Sequence, residues 1–97
     1  MSYSITLHDA PSDITERARH EAENRFRRTL EKVLQGPEAV VLAYRAWQLA
    51  EETAETELSA DDIALAKQWI AAASRAMTEG FRELGESEAY FEVRIER

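Results

Sequence analysis

Two segments, one near each end of the chain, alternate strictly between apolar and polar residues, and everything between them carries helical periodicity. In residues 3–8, Tyr3, Ile5 and Leu7 share one side while Ser4, Thr6 and His8 share the other. In residues 90–96, Phe91, Val93 and Ile95 oppose Tyr90, Glu92, Arg94 and Glu96. A period of two is the mark of a half-buried strand with one wet face. A two-stranded ribbon is marginal in water by itself. These strands must therefore pack on the helices between them or extend a sheet by pairing with another chain. Exposed strand edges near both termini make a homodimer an expectation.

Three helices are expected in the interval. Asp13-Ile-Thr-Glu16 has the form of a capping box, with Ser12 as an alternative cap. Ala18, Ala22, Phe26, Thr29, Leu30 and Val33 then form one broad stripe, predicting a helix over 13–35. Gln35-Gly36-Pro37 stops it: Gly suits a left-handed C-terminal residue and Pro opens the next helix. So short a link predicts that helices one and two are antiparallel neighbours. The second helix, 37–58, is apolar on most sides over Val40–Ala50, which predicts a central position in the fold or, as the alternative, a dimer interface. Ser59-Ala-Asp-Asp62 caps a third helix over 60–84. Its apolar stripe reads Ile63, Ala66, Trp69, Ile70, Ala73, Met77, Phe81 and Leu84; Gly80 sits at the edge, suited to close backbone approach, and Gly85 suits a C-terminal cap. The expected fold is α+β and predominantly helical: β-α-α-α-β, an antiparallel three-helix bundle with two short terminal strands. At 97 residues it forms a single domain.

Composition narrows the function. Apolar residues make up 44% and charged residues 32%, the balance of a globular chain rather than a disordered one. There is no cysteine, which removes a disulfide framework and any thiolate metal site and fits a reducing compartment. The start, MSYSITLHD, has neither the basic nor the apolar region of a signal peptide. Val40–Ala50 is too short to span a bilayer, so a cytoplasmic protein with no membrane partner is expected. The net charge of −7 lacks the basic footprint of direct nucleic-acid binding. Bases concentrate in residues 13–35, six against five acids. That basic side of helix one is interleaved with acids and reads as a solvated face.

The stretch 49–62 holds Glu51, Glu52, Glu55, Glu57, Asp61 and Asp62 and no base. Asp61 and Asp62 belong to the first turn of helix three, where the macrodipole favours anions. The four glutamates fall in the last turns of the predicted second helix, where it disfavours them, and Glu51 and Glu55 are like charges four apart. Arg17 and Arg19 are the expected neutralising partners. The alternative is an acidic docking surface for a basic protein partner: Glu51, Glu52, Glu55 and Glu57, with Trp47 as an aromatic anchor. An inhibitor or regulator of a nucleic-acid-handling protein fits that surface. Glu79, Glu83, Glu86, Glu88, Glu92 and Glu96 form a second acidic region, diluted by Arg82, Arg94 and Arg97.

Two further readings stand beside this one. Glu52-x-x-Glu55, preceded by Leu49-Ala50, resembles the carboxylate helix of all-α nucleotide pyrophosphohydrolases. The resemblance implies Mg²⁺-dependent hydrolysis of a nucleotide or phosphoester, with Glu52 and Glu55 as metal ligands. The second carboxylate pair of that family, Glu-x-x-Asp on a following helix, is missing: helix three offers Asp61, Asp62, Glu79 and Glu83 in other spacings. A structural subunit of a larger assembly is the third reading, suggested by the apolar second helix. Elsewhere no catalytic residue or cofactor motif stands out: Gly36, Gly80 and Gly85 form no phosphate loop, and Glu16 with His20 reads as a surface pair one helical turn apart.

Overall fold

The computed structural model of the protein describes residues 2–82 and 88–96. In chain order they form β1 (Ser2–His8), α1 (Glu16–Leu34), α2 (Pro37–Glu52), a single 3-10 turn (Glu55–Glu57), α3 (Ala60–Gly80) and β2 (Tyr90–Glu96). The α+β class and the β-α-α-α-β order are those expected. The strands pair antiparallel without a slip, from Ser2 opposite Glu96 to His8 opposite Tyr90. Tyr3, Ile5, Leu7 and Val93 are buried on the inner face. Leu7, Leu30 and Val40 are the largest fully enclosed side chains.

α1 starts later than the capping box suggests. Thr15 is the cap, its hydroxyl accepting from the Ala18 amide at 3.1 Å. Ser12 and Asp13 are drawn into a turn closed by the Ile14 amide on the Pro11 carbonyl, 3.1 Å, so neither caps the helix. At the other end Gln35 itself is left-handed (φ 65°), and Gly36 follows at φ 124°, a conformation open to glycine almost alone. Pro37 then opens α2 as expected.

α2 ends at Glu52 rather than at residue 58; Thr53 and Ala54 are extended. Ser59 caps α3, accepting from the Asp62 amide at 3.1 Å. α3 stops at Gly80; Leu84 and Gly85 lie outside the described residues.

The helices are arranged differently from the expected hairpin. α1 and α2 share little contact, whereas α3 packs extensively on both. Gly80, near its end, lies against Phe26 of α1, and Trp69, at its middle, meets Tyr44 of α2 edge-on at 4.9 Å. The helix in the middle is therefore α3, not α2. The face that α3 buries is Ala66, Trp69, Ala72, Ala76 and Gly80. Ile70 and Met77, on the expected stripe, are 52% and 42% exposed. A helix gripped on two sides needs small residues for close approach, and that requirement outranks the hydrophobicity of Ile and Met. α2, correspondingly peripheral, leaves Leu42 58% and Leu49 42% exposed.

α1 also closes one side of the sheet. The Leu7 amide donates to the Glu23 carboxylate at 2.8 Å, the Leu7 carbonyl accepts from Arg19, and the Tyr3 carbonyl accepts from Arg27 at 3.3 Å. These backbone groups belong to the edge of β1 that faces away from β2. No helix among the described residues is long and apolar enough to cross a membrane.

Candidate functional site

The acidic residues singled out in the sequence come together around the α2–α3 junction, but on three elements. Glu51 and Glu52 end α2, Glu55 and Glu57 lie in the 3-10 turn, and Asp61 and Asp62 occupy the first turn of α3. All are exposed except Asp62, which is half-buried. The last turn of α2 contains no base. Glu51 and Glu52 therefore face the negative end of the α2 dipole, while Asp61 and Asp62 meet the positive end of α3.

The expected neutralisation by Arg17 and Arg19 does not occur. Arg17 pairs with Glu21 at 3.3 Å. Arg19 is held by the Leu7 carbonyl and stands 3.9 Å from Glu23. Glu51, Glu52, Glu55 and Glu57 form no ion pair with any described residue.

The early end of α2 also separates Glu52 from Glu55. Glu52 borders an open cleft of about 470 Å³ between α2 and α3, with Leu42, Arg45, Leu49, Asp62 and Leu65. Glu55 borders a different one, about 250 Å³, with Leu58, Ile63, Lys67 and Ile70. The pair thus does not stand one turn apart on a helix, the geometry on which the resemblance to the pyrophosphohydrolase helix rests. Among the described residues no three His, Asp or Glu side chains gather within reach of one metal ion. Glu83 and Glu86 of the second acidic region lie outside the described residues.

Trp47 lies on α2 one helical turn before Glu51. It is half-buried against the core, its ring 5.8 Å from Tyr44 and 6.4 Å from Trp69. With Tyr44 and Trp69 it fastens α2 to α3.

One cluster escaped the sequence reading. On the outer face of the sheet, His8 Nε2 lies 2.8 Å from Glu92 and the His8 ring stacks on Tyr90 at 5.2 Å. Arg94 stands 3.7 Å from the same carboxylate. The hydrogen bond from His8 holds the Glu92 carboxyl below the usual glutamate range; partial burial opposes the shift and the Arg94 charge reinforces it. Alternation places each of these residues on the outer face, but only the strand register brings them together. His20, expected beside Glu16, instead approaches Glu23 at 3.4 Å.

What the acidic end offers chemically is a set of carboxylates without an ion-pair partner among the described residues, next to exposed leucines, an arrangement complementary to a surface that carries cations beside apolar side chains. Comparison of the chain with protein-family models, with curated proteins and with solved structures gives no match.

Proposed function

We propose that the protein acts by binding another protein in the cytoplasm, one with a basic surface, through the acidic end formed by Glu51, Glu52, Glu55 and Glu57. A nucleic-acid-handling protein is the partner class that fits, and inhibition or regulation the corresponding role. The observation that supports this reading is that four exposed carboxylates, two of them at a helix end that repels them, form no ion pair with any described residue. An incoming Lys- or Arg-rich surface relieves both conditions at once. Charge at the rim of an interface acts mainly on encounter rate and specificity. Leu42 and Leu49, exposed along the neighbouring cleft, supply apolar area that charge alone does not.

The test uses the parent protein and the E51Q/E52Q/E55Q/E57Q variant as paired baits in lysate of the native host, at low and high salt. Captured proteins are identified, purified and titrated against both baits. The expected result is a basic partner held at low salt, released at high salt because exposed charges are screened, and bound much more weakly by the variant. Equal affinity for parent and variant, with both folded by circular dichroism, overturns the reading.

A further inference from the structure

The two edges of the sheet are not equivalent. In a regular antiparallel ladder, the N–H and C=O of a residue point to the same side, and successive residues alternate sides. Because the Leu7 groups point to Glu23 and Arg19, the odd residues of β1 face outward, and the even ones bond to β2. The register pairs odd with odd, so Phe91, Val93 and Ile95 turn their N–H and C=O groups to the outer edge of β2. Arg19, Glu23 and Arg27 guard the β1 edge. No side chain among the described residues does this for β2.

Apart from the charges of Glu92, Arg94 and Glu96 on its outer face, β2 also lacks the usual protections of an edge. It is seven residues long, has no proline and no bulge, and points only Phe91, Val93 and Ile95 inward. We infer that β2 pairs antiparallel with β2 of a second copy of this chain, with Val93 on the twofold axis, giving a four-stranded sheet β1-β2-β2′-β1′.

The charges select that register. Hydrogen bonding between two such edges requires odd residues opposite odd residues. With Val93 opposite Val93 of the second copy, Glu92 stands directly opposite Arg94 and Arg94 opposite Glu92, so both outer-face pairs are of opposite sign. On the inner face Phe91 then meets Ile95. Sliding by one step of the ladder in one direction sets Glu92 against Glu92. Sliding the other way sets Arg94 against Arg94 and Glu92 against Glu96 on both sides. Opposite charges in directly facing positions stabilise a strand pair and like charges destabilise it. Of these three registers, which keep the most residues paired, only the central one has no like-charge pair on its outer face. Charge complementarity of the strand with itself is what points to a second copy as the occupant. The inference is independent of the acidic end, which lies on other elements.

The experiment compares the parent, E92R, R94E and the E92R/R94E swap by sedimentation, over protein concentrations from micromolar to sub-millimolar. The parent is expected near twice the 11.1 kDa chain mass. Each single variant places like charges opposite each other across the axis and loses the dimer. The swap restores opposite signs and with them the dimer. A second measurement needs no substitution: amide exchange at Phe91, Val93 and Ile95 slows as concentration rises, while exchange at Glu92 and Arg94, already bonded to β1, does not change. Circular dichroism establishes that the single variants are folded. A parent that stays monomeric across the range overturns the proposal, even if a foreign strand pairs there. So does a dimer that the single variants leave intact, or one that they break and the swap fails to restore.

Discussion

Replacing Gly80 by alanine sets two effects against each other, and the structure decides between them. In a helix, Gly→Ala normally stabilises by roughly 0.5–1 kcal/mol. At Gly80 the added methyl carbon would stand 2.8 Å from two ring carbons of Phe91. Carbon atoms prefer about 3.5–4.0 Å, so the ring must retreat by about 0.7 Å or more. It has little room to do so: Phe26 stacks on it at 4.3 Å and Phe81 at 4.9 Å. Overpacking of this kind costs about 1–3 kcal/mol, and Gly80 is the last residue of α3, where the propensity gain is smallest. The net expectation is a loss of about 1–2 kcal/mol, which lowers Tm by about 5–15 °C in a domain of this size. Urea unfolding should show the loss as a lower midpoint with an unchanged slope. The cause is isolated by a cycle with Phe91→Leu: once the ring is gone, G80A should become neutral or mildly stabilising. A G80A protein as stable as the parent refutes the reasoning, as does one that loses the same amount in both backgrounds.

Three other outcomes follow from contacts described above. Tyr3 has a buried hydroxyl with no hydrogen-bond partner among the described residues, and burial, then the Glu31 charge, push its pKa up to about 12, against the pull of Arg27. Because the folded value lies above the unfolded one, this contribution to stability is complete below about pH 10 and is lost as pH rises toward 12. Tyr3→Phe should flatten that alkaline decline in denaturant midpoint and, at neutral pH, leave stability equal to the parent's or raise it by about 1 kcal/mol. Glu92 should titrate below the ordinary glutamate range by NMR, and His8→Ala should move it upward. Its folded value is depressed, so its contribution is complete above that ordinary range and disappears as pH falls through the lower, folded value. Glu23→Ala removes the acceptor of the Leu7 amide and should cost about 1–3 kcal/mol with faster exchange at that amide, whereas Glu23→Gln retains an acceptor and most of the stability.

The strands were legible because period-two alternation leaves one face to bury, and Ser59-Ala-Asp-Asp62 was legible because the cap and the first turn are local. Boundaries set by competition were not. Ser12, Asp13 and Thr15 can each cap a helix, and the turn from Pro11 to Ile14 removes the first two. The run from Glu51 to Leu58 contains no Gly or Pro, so nothing in it announces that α2 stops at Glu52. Local hydropathy misplaces the buried face of α3 for a related reason. Hydropathy ranks Ile70 and Met77 above Ala72 and Ala76, yet which face is buried depends on how closely α1 and α2 approach, a distance no local pattern encodes. The four glutamates are exposed, but Arg17 and Arg19 do not neutralise them, because Arg17 pairs with Glu21 and α1 directs Arg19 to the β1 backbone.

The guarded edge of β1 bears on the order in which the chain is made. β1 is made before the helical region, and β2, its strand partner among the described residues, follows that whole region, so the ribbon joins residues far apart in the sequence and is among the slowest pairings to close. A lone strand waiting that long exposes two adhesive edges. Once α1 has been synthesised, Arg19, Glu23 and Arg27 can occupy one of them from within the same short segment, long before β2 exists. The nascent chain then presents a single open edge, the one that β2 is built to take.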